Sequence, residues 1–173
     1  MDHLPFTPFF FVLAYITSNV LALLSIFASI RFPKFARLFF LMLFGWACWI
    51  NSSMALDTPW VYQDYADTAV PLYKQFILGA FEAIITPMVL VIAICQAFIA
   101  ISMLLKGKLF QIGCWGGIVF GLAVAPLGTY AAFPATVFMA IALFLLQKKN
   151  DNLFLWERKH DEHNKAHLAH ASH

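Results

Sequence analysis

Five apolar runs, at 8–30, 35–56, 76–105, 109–125 and 131–147, take up most of this chain and hold almost no charge. A membrane-spanning helix needs roughly 20 apolar residues, within a range of about 17–25. Each run meets or approaches that length. A water-soluble fold would have to cover such surface with polar groups, yet only 12% of the 173 residues are charged and 62% are hydrophobic. Disordered chains are poor in apolar residues, so that class is excluded as well. The sequence therefore predicts an all-α, polytopic membrane helix bundle with five transmembrane helices. Residues 1–147 form its membrane domain, and 148–173 a charged, His-rich cytoplasmic tail.

Punctuation between the runs supports this division. The first opens on Pro8 and closes at Arg31, Phe32, Pro33 and Lys34; the second stops at Asp57, Thr58 and Pro59. As one helix, 76–105 would be about 45 Å long against a hydrocarbon core of about 30 Å. It is expected either to start in the interface or to tilt and kink at Pro87. Pro126, Leu127 and Gly128 are expected to turn the chain between the last two helices. Positive charge separates cleanly on this scheme. Ten of the eleven Lys and Arg residues fall on one side, and Lys74 is the only base in the Asp57–Gln75 loop. The positive-inside rule then puts the N-terminus outside and the C-terminus in the cytoplasm, in what is expected to be a bacterial inner membrane. The first run lacks the basic start and the small-residue site of a cleavable signal, so it is expected to remain as a helix.

Few residues offer chemistry. Glu82 is the only acidic side chain within an apolar run, and ionisable groups in a membrane often mark pathways or proton sites. An interfacial position beside Lys74 is the plainer reading. Asn19, Asn51, Ser52, Ser53 and Gln96 are further polar residues read as intramembrane, and Asn and Gln commonly hydrogen-bond between membrane helices. Asn51 and Glu82 both lie toward the outer ends of their helices, beside a loop with Trp60, Tyr62, Tyr65 and Tyr73. These residues are candidates for a small outward-facing ligand pocket, or for an interfacial aromatic belt. Gly113, Gly117 and Gly121 recur every four residues, which marks a close-packing helix face toward either an internal neighbour or another subunit. His163, His167 and His170 would share one face of a helical tail, a spacing that suits imidazole ligation of a metal, although a solvated tail is the simpler expectation. Cys48, Cys95 and Cys114 form no CxxC pair and are read as small hydrophobes. Walker, GxGxxG, HExxH, nucleophile-elbow and haem-attachment motifs are absent, and the net charge of +2 gives no reason to expect nucleic acid as a partner.

Two stretches carry a family resemblance. In LFFLMLFGWACWINSSMALDTPWVYQDYA an apolar helix ends in Asn and leads into a loop with Pro and Tyr. In ICQAFIAISMLLKGKLFQIGCWGGIVFGLAVAPLGTYAAFP a polar residue precedes an apolar run, and a Gly turn then leads to a small-residue helix and an aromatic–Pro turn. From about residue 37 to 146 the chain resembles the DoxX-like family of small integral membrane proteins. The resemblance implies a compact four-helix bundle, preceded here by an extra N-terminal helix. It also implies an association with membrane redox systems such as thiosulfate:quinone oxidoreductase, which makes a quinone the one cofactor to consider. Asn51 and Gln96 match polar family positions. Family members often carry an acid where this chain has Gln96, which weakens the transfer of a proton or quinone role.

Three functions follow as expectations. One is an accessory or assembly subunit of a membrane complex, with partner subunits or further copies of itself in the bilayer. A second is a carrier or binder of a small molecule, with a polar intramembrane pocket. The third is a membrane enzyme acting on a quinone or another lipophile, which the lack of catalytic motifs disfavours.

Overall fold

The computed structural model describes residues 8–149 and 154–156, and all regular structure among them is helical. The helices are α1 (Pro8–Arg31), α2 (Pro33–Asp57), α3 (Pro71–Ile77), α4 (Ile85–Ser102), α5 (Gly107–Val124) and α6 (Ala135–Lys148). Short 3-10 stretches cover Pro59–Asp67, Glu82–Ile84 and Ala125–Ala131. Proline recurs at the starts: Pro33, Pro59 and Pro71 occupy the first turns of their helices. Proline has no N–H to donate, and the first turn is where a helix needs none.

The region 76–105 is not one helix. The chain leaves helical geometry after α3 and resumes in α4, so Pro87 falls within the first turn of α4 and produces no mid-helix kink. The excess length over a bilayer is thus taken up outside α4, by the turn and 3-10 stretch at 78–84 and by the turn after Ser102. The 109–147 stretch is likewise divided, by the turn at Ala125–Ala131, where Gly128 has φ +81°. A Cβ there would collide with the Thr68 carbonyl, so both the dihedral and the close approach require glycine.

Five helices form a closed ring in which α1 neighbours α2 and α6, α2 neighbours α4, and α5 lies between α4 and α6. Sequential members run antiparallel. Arg37 near the start of α2 bonds carbonyls just past the end of α4, while Thr86 near the start of α4 bonds the Ala55 carbonyl near the end of α2 (3.0 Å). The α1/α6 pair is parallel. Phe11 at the start of α1 meets Tyr130, just before α6, edge-on at 5.3 Å.

The ring has two distinct ends. At the capped end the loops knit together: Thr68 Oγ1 donates to the Leu127 carbonyl (2.7 Å), and the Val70 N–H donates to the Pro126 carbonyl (3.0 Å). The opposite, basic end carries Arg31, Lys34, Lys106, Lys108, Lys148 and Lys149. There the Leu155 N–H donates to the Leu104 carbonyl (3.3 Å), and the Lys106 ammonium sits 4.5 Å over the Phe154 ring. Although it has only 14 residues, α6 therefore travels from the capped end to the basic end.

Two apolar clusters fill the interior. Phe40, Phe44, Met103, Phe110, Cys114, Leu143 and Leu146 pack toward the basic end. Ala55, Tyr62, Ile77, Phe81, Ile85 and Val89 pack toward the capped end. Outside them the surface is conspicuously oily: Phe27, Phe35, Met42, Trp46, Trp49, Ile94 and Val119 are each at least 60% exposed. Four helices are long and apolar enough to cross a membrane, which is consistent with a multi-pass membrane protein; α6 is apolar but shorter.

The glycine stripe is consumed inside this ring. Gly113 lies against Ser102 of α4, Gly117 against Leu143 of α6 and Phe44 of α2, and Gly121 against the Thr136 carbonyl of α6. On α1 the buried residues are all small, namely Ala22, Ser25 and Ser29. Small residues permit the close helix approach from which membrane bundles gain their dispersion energy.

Candidate functional site

From Tyr62 of the capped-end cluster a chain of three polar side chains, drawn from three elements, runs into the bundle. Tyr62, on the 3-10 stretch after α2, donates its hydroxyl to Asn51 Oδ1 (2.8 Å). Asn51, two turns before the end of α2, donates Nδ2 to Gln96 Oε1 on α4 (2.9 Å). Gln96 is 1% exposed. Buried amides and hydroxyls are costly unless paired, and each of these contacts removes part of that cost from two helices at once. Other polar residues turn inward on their own helix. Asn19 Nδ2 bonds the Tyr15 carbonyl (2.9 Å) and Ser25 the Ala22 carbonyl (2.7 Å), the local back-bonding expected of short polar side chains.

Tyr62 keeps its proton under ordinary conditions. Burial, and secondarily the neighbouring Tyr65, pushes its pKa from 10.0 up to about 12. Burial raises Tyr65 as well. The two rings lie 6.2 Å apart and nearly parallel. A folded-state value above the unfolded one means that this contribution to stability is complete below about pH 10 and fades as pH climbs toward 12.

Beside the polar chain opens a cavity of about 690 Å³, within the range of small-molecule sites. Its shape follows from how α4 and α5 diverge. They touch near their junction, where Gly113 meets Ser102 and Gly116 meets Ile99. Further along they separate, so that Met88, Val89 and Ile92 of α4 face Phe120, Ala123 and Val124 of α5 across the space. Over it lies α3, contributing Leu72, Tyr73, Phe76 and Ile77. The Tyr73 hydroxyl donates to the Ala123 carbonyl (3.0 Å), tying α3 to α5. Asn51, Tyr62, Tyr65 and Tyr73 form the polar part of a wall that is otherwise apolar and includes no charged residue.

Of the residues singled out from sequence, the structure joins Asn51, Tyr62 and Gln96 in one hydrogen-bonded chain and sets Tyr65 and Tyr73 beside Asn51 and Tyr62 in the cavity wall. It separates two others. Glu82 sits exposed on its own 3-10 turn while its neighbour Phe81 turns into the cavity wall. Trp60 is 63% exposed and does not line the cavity. Sequence reading singles out Tyr73 of α3 but overlooks Leu72, Phe76 and Ile77 beside it, although Pro59 and Pro71 are spaced as two helix starts within the loop. No group of three His, Cys, Asp or Glu residues positioned for a metal occurs among the described residues. His163, His167 and His170 lie outside them.

Comparison of the chain with family models, with curated proteins and with solved structures finds no match.

Proposed function

We propose that this chain is a five-span membrane protein that binds a lipophilic small molecule in the cavity between α3, α4 and α5. The observation that carries this reading is a hydrocarbon-walled space of about 690 Å³ with hydrogen-bonding groups gathered at one place on its wall. Small-molecule sites have this composition: mostly apolar lining with a few placed polar groups that fix orientation. A DoxX-like bundle, with a quinone among the lipophiles to be tried, agrees with the reading. The accessory-subunit alternative draws less support, because the glycine stripe faces helices of the same chain. A direct test is to extract protein purified in mild detergent and weigh the extract by mass spectrometry. Wild type should yield a lipophile in near-stoichiometric amount. Ala123→Trp, which fills the cavity, should yield several-fold less, and Glu82→Gln should match wild type. Equal recovery from Ala123→Trp and wild type would sink the proposal.

The spans run between a basic end in the cytoplasm and a capped end outside. Support comes from the gathering of Arg31, Lys34, Lys106, Lys108, Lys148 and Lys149 at one end of the ring, as the positive-inside rule requires. At about 21 Å, α6 is short for a bilayer, and local thinning or its flanking turns make up the difference. With the capped end outside, Asp64→Cys should react with an impermeant maleimide on intact cells. Lys108→Cys should react only after permeabilisation. The reverse pattern would invert the orientation.

A further inference from the structure

We infer that the guest of this cavity carries a quaternary ammonium head on an apolar body, with the head held among the aromatic rings of the wall. This narrows the binding proposal above, on which it rests, to one class of lipophile. Three features carry it.

The first is the wall. Six aromatic rings border the space, those of Tyr62, Tyr65, Tyr73, Phe76, Phe81 and Phe120. They are gathered rather than scattered: Tyr62 and Tyr65 lie 6.2 Å apart, and Phe76 and Phe81 5.6 Å apart. A ring face carries partial negative charge and attracts a cation, more strongly where water is excluded. Quaternary ammonium groups are recognised by aromatic rings in this way.

The second is the hydrogen-bond inventory. Tyr62 spends its proton on Asn51 Oδ1, and Tyr73 spends its own on the Ala123 carbonyl. The Tyr65 hydroxyl has no hydrogen-bond partner among the described residues, and it can turn its oxygen toward a guest. Asn51 Nδ2 gives one hydrogen to Gln96 Oε1. Its other hydrogen is left to water, for which a space of about 690 Å³ has room beside a guest. A primary ammonium would bring three N–H donors, and the wall has no carboxylate to receive them. A quaternary head brings none. Its charge is spread over methyl groups that hold water weakly, so it loses less on leaving solvent than a compact ion does.

The third is the field around the capped end, whose elements build the cavity. Asp57, Asp64, Asp67 and Glu82 are all exposed there, against Lys74 alone among the described residues of that end. Asp64 directly precedes Tyr65, and Asp67 follows it on the same 3-10 stretch. These carboxylates stay in water and form no part of the wall. They nevertheless raise the local concentration of cations and turn anions away.

The test uses the full chain in maltoside micelles, which hold neither charge nor choline. Three phenylbutyl probes are compared: the trimethylammonium compound, its neutral tert-butyl isostere and the primary ammonium. Binding is measured by equilibrium dialysis, with protein-free micelles subtracted. The quaternary probe should saturate at one per chain, at least about tenfold tighter than either of the others. Tyr65→Leu should weaken the quaternary probe about fivefold and leave the isostere unchanged, whereas Tyr65→Phe, which keeps the ring, should stay within about twofold of wild type. Asp64→Asn should weaken the quaternary probe at low salt and not at high salt. Displacement of the probe by added phosphatidylcholine assigns the head to a lipid, and its retention assigns the head to a free solute; the quaternary class stands either way. If Tyr65→Leu fails to fold, the three probes on wild type decide the matter alone. Equal binding of the quaternary probe and its isostere overturns the cationic class and leaves the cavity proposal standing. Equal binding of the quaternary and primary probes overturns the quaternary head, again leaving the cavity. Absence of saturable binding by all three overturns both.

Discussion

Gly113→Ala is expected to lower stability by about 3 kcal/mol, the upper part of the range for overpacking a tight interior. Its added methyl would overlap both Oγ and Cβ of Ser102, which donates its hydroxyl to the Ile99 carbonyl (2.6 Å) and is fully buried. A Cβ carbon cannot swing aside as the end of a long side chain can, so α4 and α5 must move apart. The matching substitution Ser102→Gly removes that obstacle. The double variant Gly113→Ala/Ser102→Gly should recover most of the loss, which a thermal unfolding series in one detergent would show. Gly45→Ala is the control, because its Cβ would meet nothing within 4 Å; it should be neutral, or slightly stabilising through helix propensity. If Gly113→Ala and Gly45→Ala behave alike, the α4/α5 contact is not as close as described.

Arg37→Met is expected to cost a comparable amount, about 3 kcal/mol. Arg37 is 3% exposed, its Nε donates to the Met103 carbonyl (2.8 Å), its Nη2 donates to the Leu105 carbonyl, and the guanidinium lies 4.6 Å from the centre of the Phe110 ring. The end of a helix leaves its last carbonyls without intrahelical donors and carries partial negative charge. The last α4 carbonyls accept from the N–H groups of Met103, Leu104 and Leu105. Arg37, from a neighbouring helix, supplies donors to the carbonyls of the turn just beyond and sets its charge at the negative end of α4. Methionine keeps the volume and strands the carbonyls. Arg37→Lys should recover only part of the loss, because one ammonium cannot reproduce the planar fork of donors. Backbone hydrogen exchange at 103–105 should accelerate in both variants, more in Arg37→Met. Wild-type exchange in Arg37→Met would refute the capping role.

The apolar runs made the helical class legible, because each run is long and bounded by Pro or charge. Its finer geometry was hidden for identifiable reasons. Hydropathy scarcely changes across residues 76–105, so nothing in it marks the break between α3 and α4. Backbone geometry does that, with Pro87 in the first turn of the new helix. Glu82 drew attention as a lone acid among apolar residues, yet it belongs to that break and so escapes the bundle. Arg37 reads as one more positive charge at a membrane edge. Only the start of α2 at Pro33 carries it a full turn inside, where it meets the end of α4. Asn51 and Gln96 were each visible as polar residues in apolar surroundings. Their pairing across 45 positions was not, since it depends on the order of helices around the ring.

Ring closure has a consequence for how the chain is made. The seam between α1 and α6 joins the first helix to the last, so during synthesis α1 waits, with α2 as its only ring neighbour already made, until nearly the whole chain has emerged. Contacts between distant parts of a sequence form late because the loop between them must first be closed. Until then the nascent protein is an arc of four helices with two raw edges. One is the small-residue face of α1, and the other is the face of α5 bearing Gly117 and Gly121. A chain interrupted before residue 135 would keep both edges open, and each is shaped for the α6 of another copy.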